Sequence, residues 1–139
     1  MGEYLVDDGA VSSGIILNNG DFMTVLNGGK ASKTTINSKG TMTVSSGGIA
    51  NVTTIYDNGE LNVSDGGIVS NTTLMEDGDL DVESGGTAFN TVVSDGLFLV
   101  GFFGSADGAV LNSRGRMVVV NTASANDITI SSGGRLQVL

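Results

Sequence analysis

Thr41-Met42-Thr43-Val44 alternates polar and apolar residues. The same alternation returns at Glu60-Leu61-Asn62-Val63 and at Asp79-Leu80-Asp81-Val82. Strict alternation over a few residues predicts a strand with one buried face, and no helical period appears anywhere in the chain. Each of these segments runs into a glycine pair: Gly47-Gly48, Gly66-Gly67 and Gly85-Gly86. A second alternating segment follows each pair and closes on a short polar turn ending in glycine. Cutting the chain after those turn glycines gives units ending at Gly20, Gly40, Gly59, Gly78, Gly96, Gly115 and Gly134, spaced by 20, 19, 19, 18, 19 and 19 residues. These units are numbered here as coils 1 to 7. Paired glycines and Asn-Gly or Asp-Gly steps predict sharp turns with positive φ.

A unit of two short strands is too small to bury a face alone. Stacking solves this, because each strand pairs in parallel with its copy one coil away, about 4.8 Å distant. The expected fold is therefore all-β: a single right-handed parallel β-helix, or solenoid, of about seven coils with 18–20 residues each. It makes one domain over residues 1–139. An antiparallel meander does not explain why the same residue type returns in each unit. Four inward columns are expected. The first is Met23, Met42, Leu61, Leu80, Phe98, Met117 and Leu136. The second is Val25, Val44, Val63, Val82, Val100, Val119 and Val138. A column of small residues runs Ala31, Ala50, Val69, Ala88, Ala106 and Ala125. The last runs Ile16, Ile36, Ile55, Leu74, Val93, Leu111 and Ile130. Large faces small, as close packing of a thin core requires. Thr34, Thr53, Thr72 and Thr91 stack at one further position, where a hydroxyl ladder is expected.

Composition narrows the chemistry. The chain has no Cys, His, Pro or Trp, so disulfides, thiol chemistry and histidine-based triads are excluded. Its net charge is −9, which argues against nucleic acid and anionic membrane surfaces as partners. No apolar run reaches the length of a membrane span, and membrane insertion is not expected. Met1-Gly2-Glu3-Tyr4 does not read as a secretory leader, so the start is expected to be that of a mature or excised chain.

The most apolar stretch is Leu97-Phe98-Leu99-Val100-Gly101-Phe102-Phe103. In the register above, Phe98 and Val100 point inward. The outward column through Leu99 runs Thr24, Thr43, Asn62, Asp81, Leu99, Val118 and Gln137, polar until coil 6 and apolar in coils 6 and 7. Leu97, Leu99, Phe102, Phe103 and Val118 are thus expected to cluster outside the column as a self-association patch. The competing reading folds the phenylalanines into a widened corner. Glu3, Asp7 and Asp8 in coil 1 and Arg114, Arg116 and Arg135 at the other end suggest a different mode, head-to-tail stacking into a filament.

Catalytic and metal sites are not expected. Glu60 and Asp79 should sit one coil apart, a spacing a retaining glycosidase could use. They lack a cleft, a basic neighbour or an aromatic platform, so no catalytic residue is assigned. The glycine turns lack the aspartates of calcium-binding nonapeptides, so no metal or cofactor is assigned. An outward threonine column, Thr35, Thr54, Thr73 and Thr129, is broken by Val92 and Val110, which discounts an ice-binding array. Three Asn-X-Ser/Thr triplets, beginning at Asn51, Asn62 and Asn71, are expected by chance in so Asn- and Thr-rich a repeat.

The segment TVSSGGIANVTTIYDNGELNVSDGGIVSNTT, from Thr43 to Thr73, resembles the strand-loop-strand repeats of bacterial autotransporter passenger domains. It is similar to those of the self-associating adhesins, such as the adhesin involved in diffuse adherence. Val11 to Thr35 looks like the lead-in to such an array. Coils 6 and 7 depart from the pattern, with Phe103-Gly104 and Thr122-Ala123 in place of Gly-Gly. The resemblance implies a β-helical module of a larger, surface-displayed, extracellular protein of a diderm bacterium. It implies a non-enzymatic role in adhesion, autoaggregation and biofilm, with partners that are other copies of itself and host or bacterial surfaces. It further implies that a heptosyltransferase adds O-linked heptose to hydroxyls of the repeat, with Ser32, Ser45, Ser46, Ser64, Ser70 and Ser84 as candidate acceptors.

Overall fold

The alternating segments form strands where expected. Thr41–Val44 pairs in parallel with Phe22–Val25 on one side and with Glu60–Val63 on the other, and Glu60–Val63 in turn pairs with Gly78–Val82. The computed structural model describes all 139 residues. Its 17 strands form one continuous, wholly parallel sheet wound into a β-solenoid of about seven coils, with no helix. A single cluster of 25 buried residues fills the interior from Val6 to Val119.

Each coil has three faces, not the two that the glycine turns mark. Coil 3 shows the plan. Thr41–Val44 forms the first face, and Ile49–Ile55 forms the second and third faces by bending at Val52. The bend is a single residue in the left-handed region. Its equivalents are Gly14, Lys33, Asn71, Asn90, Gly108 and Asp127, all with positive φ. Val52 is a genuine outlier there (φ 59°), since a β-branched side chain crowds its own backbone in that region. Val52 is also exposed, so packing does not hold it. Replacing it with the residue used one coil on, Val52→Asn, is expected to stabilise the chain by about 1 kcal/mol, read as a higher urea midpoint at unchanged slope. An unchanged or lower midpoint contradicts this account of the bend.

The glycines do two different jobs. In the pair Gly47-Gly48, Gly47 takes the positive φ (81°), while Gly48 lets the chain approach the coil before it. A Cβ on Gly48 would lie 2.3 Å from the Val25 carbonyl oxygen. In the turns that end coils 2 to 4, the two residues before the glycine take the positive φ: Ser38 and Lys39, Asp57 and Asn58, Glu76 and Asp77. Gly59 there is a close-approach glycine, its would-be Cβ 2.8 Å from the Ile36 carbonyl oxygen. Positive φ, the expected reason for glycine in these turns, is thus carried by the residues before it at Gly40, Gly59 and Gly78, whereas Gly20, Gly96 and Gly133 carry it themselves.

Three inward columns stand as expected: Met23 to Leu136, Val25 to Val138 and Ala31 to Ala125 pair residue for residue. The fourth needs one correction. Leu17, not Ile16, pairs with Ile36 and is fully buried, while Ile16 pairs with outward Thr35 and is exposed. Ile15-Ile16-Leu17 is a run of aliphatics without alternation, and a one-residue slip exchanges the two faces of a strand. Thr34, Thr53, Thr72 and Thr91 are all buried at the start of the third face, but the expected hydroxyl ladder does not form. Thr72 Oγ1 and Thr91 Oγ1 have no hydrogen-bond partner. Their column continues through Ala109, an apolar neighbour that cannot accept a side-chain bond.

Candidate functional site

The first face carries two outward columns, because alternation along each strand sends every second side chain away from the core. One runs Glu3, Phe22, Thr41, Glu60, Asp79, Leu97, Arg116 and Arg135. The other runs Leu5, Thr24, Thr43, Asn62, Asp81, Leu99, Val118 and Gln137. Read down the axis, the face carries one acid, Glu3, in coil 1, is uncharged in coils 2 and 3, acidic in coils 4 and 5, apolar at Leu97 and Leu99, and basic beyond.

Of the five patch residues, Leu97 and Leu99 lie half-buried on this face. Phe102 and Phe103 stand exposed at 61% and 70% on the corner that follows. They do not fold into it, so the widened-corner alternative does not hold. Val118 departs from expectation. It faces outward next to Leu99 but is only 6% exposed, because Leu99 and Gln137 flank it and Arg116 reaches diagonally to bond Gln137 Oε1 at 3.0 Å. Leu97, Leu99 and Val118 therefore share one face, while the two phenylalanines project from its edge.

The phenylalanine corner differs from its predecessors. In coils 3 to 5 the two central turn residues both have positive φ, as at Ser46 and Gly47. In coil 6 only Phe103 does, at 60°. Bulky residues seldom adopt this conformation. The corner is fastened by bonds from the Ser84 and Gly85 amides to the Phe102 and Phe103 carbonyls, at 2.8 and 3.1 Å.

The acidic patch is self-repelling. Asp79 stacks on Glu60, and Asp81 on Asn62. Desolvation, with Glu60 and Asp77 adding repulsion, raises the Asp79 carboxyl above the usual range. Desolvation also raises Asp81, helped by Asp79, Glu60 and Glu83. No cation of the chain relieves them: its salt bridges are the N-terminal amine with Asp21, and Arg114 with Asp95. Arg116 and Arg135 thus have no carboxylate partner either. The arginines expected only to charge one end of the column in fact continue the Leu97 column. The signal was available, since the register that aligns Leu99 with Asp81 also aligns Leu97 with Asp79 and Arg116.

The six candidate serines fall into two groups. Ser32 and Ser70 lie on the second face with their hydroxyls engaged, Ser32 to Ser13 Oγ and Ser70 to Asn51 Oδ1, each at 3.1 Å. Ser45 and Ser64 begin the first corner and are half-buried, while Ser46 and Ser84 sit at its tip, exposed.

The geometry is that of a stacked stalk with decorated outer faces. Residues 1–59 match the family model described as "Adhesin of bacterial autotransporter system, probable stalk". Coils 1 to 3, less than half of the chain, are thus similar to an autotransporter-adhesin stalk. The same architecture continues past the matched residues without a break. It superimposes on the crystal structure of a TibC-catalysed hyper-glycosylated TibA fragment with a TM-score of 0.80 and 27% identity, over 99% of this chain and 57% of that one. The chain therefore spans little more than half of the fragment it resembles. No curated protein matches the chain. Among autotransporter adhesins the stalk belongs to the cell-surface or extracellular passenger.

Proposed function

We propose that the chain is a non-enzymatic stalk module of a surface-displayed bacterial adhesin that works through its lateral faces, chiefly by associating with other copies of itself. The observation that carries this reading is the apolar row where the outer face turns from acidic to basic: Leu97 and Leu99, with the exposed Phe102 and Phe103 at its edge, in a chain whose first 59 residues match an adhesin-stalk family model. Exposed large apolar groups gathered at one level of a polar rod favour an interface. Many copies on one cell would convert weak lateral contacts into avidity. Cells displaying the chain are expected to settle from suspension, and the variant Leu99→Asp/Phe102→Ser is expected to slow settling at least tenfold at equal display. Equal settling by both would remove the patch from the account.

The same stalk is proposed as an acceptor of O-linked sugar, with a heptosyltransferase as the partner enzyme. The hyper-glycosylated TibA fragment supports the class of modification. Exposure favours Ser46 and Ser84 over Ser32 and Ser70, whose hydroxyls are already bonded. After co-expression with such an enzyme, intact-mass spectrometry is expected to show sugar lost in Ser46→Ala/Ser84→Ala and retained in Ser32→Ala/Ser70→Ala. The reverse pattern contradicts the ranking.

A further inference from the structure

We infer that two copies pair side by side and antiparallel through the first face, about a two-fold axis at the Leu97–Leu99 row, so that Asp79 and Glu60 of each copy meet Arg116 and Arg135 of the other. This rests on the self-association reading and specifies its geometry. A two-fold interface must be complementary to itself. The column Glu60, Asp79, Leu97, Arg116, Arg135 is built that way. Leu97 is one coil from Asp79 and one from Arg116, and two coils from Glu60 and from Arg135. Rotation about the Leu97 row therefore exchanges acid for base at both distances, about 5 and 10 Å along the axis. Parallel, in-register pairing would set acid on acid and arginine on arginine, which costs energy.

Three further features fit. First, the charges are unspent: neither Arg116 nor Arg135 reaches a carboxylate of its own chain, and the acids are crowded together without a cation. Second, a shallow groove at the edge of this face is lined by Asp77, Asp79, Asp95, Leu97, Arg114 and Arg116, which brings the acidic and basic halves together around the leucine. Third, an apolar centre with a charged rim is the usual anatomy of a protein interface. The backbone groups of these strands are committed to neighbouring coils, so the contact is made by side chains and not by strand addition.

Sedimentation velocity at low and physiological salt tests the geometry with Asp79→Arg, Arg116→Asp, their equimolar mixture, and both changes in one chain. Asp79→Arg alone and Arg116→Asp alone are each expected to lose at least tenfold in association. The mixture is expected to recover, because an antiparallel pair then sets two arginines of one chain against two aspartates of the other. The double variant is expected to recover as well, which guards against a single variant that fails to fold. If the wild type dimerises while the mixture and the double variant stay monomeric, the antiparallel geometry is wrong and lateral association stands. If the single variants dimerise like wild type, the charges do not set the register. If the wild type is monomeric throughout, the self-association reading fails, and this inference with it.

Discussion

Phe98→Ala lowers stability by about 3–5 kcal/mol, whereas Phe102→Ala four residues on changes it by less than about 0.5 kcal/mol. Phe98 is the largest fully buried side chain and sits in the inward column between Leu80 and Met117. Truncating it removes the transfer energy of the ring and leaves a cavity that the rigid coils on either side cannot close. Phe102 is mostly exposed and has little burial to lose. In a stacked array the damage is also local, since each coil contacts chiefly its neighbours. Coils 5 to 7 are expected to lose amide protection before coils 2 and 3. Hydrogen exchange with urea unfolding reads both effects. Equal costs at Phe98 and Phe102 would mean that the inward register is wrong.

The adjacent glycines Gly66 and Gly67 give the second large effect. Gly67→Ala is expected to cost about 3 kcal/mol or more, because the new Cβ would lie 2.3 Å from the Val44 carbonyl oxygen and 2.7 Å from its carbon. Backbone cannot yield there without breaking the coil-to-coil bonds, among them the 3.0 Å bond from the Ser64 amide to that same carbonyl. Gly66→Ala meets nothing within 4 Å, and its cost is the positive φ of 80° alone, about 1 kcal/mol. The order of the two urea midpoints decides the matter. If Gly66→Ala is the worse variant, turn conformation and not inter-coil approach sets the glycine requirement.

Much of this fold is legible in the sequence because a solenoid repeats its constraints. Val44, Val63 and Val82 recur at one interval since each must fill the same slot one coil further on. The third corner is not legible for the opposite reason. Lys33, Val52, Asn71 and Asp127 share a backbone conformation but no side-chain chemistry, so seven-residue strands such as Ile49–Ile55 read as straight. Ile15 to Leu17 carry no period, so the sequence alone does not distinguish Ile16 from Leu17 as the inward residue. Glycine's two roles, left-handed backbone at Gly47 and close approach at Gly48, look alike until the neighbouring carbonyls are in view. At the candidate site, the column positions of Leu97 and Leu99 were readable. The burial of Val118 was not, since it depends on Arg116 bending across the face to Gln137.

Lateral association through the first face is the centre of the functional account, and sedimentation velocity of the unmodified chain over a hundredfold range of concentration tests it most directly. The account predicts a single monomer-to-dimer shift, abolished in Leu99→Asp/Phe102→Ser and weakened by salt, because charges flank the apolar row. A sedimentation coefficient that stays monomeric across the range, or that moves identically in wild type and variant, would contradict it.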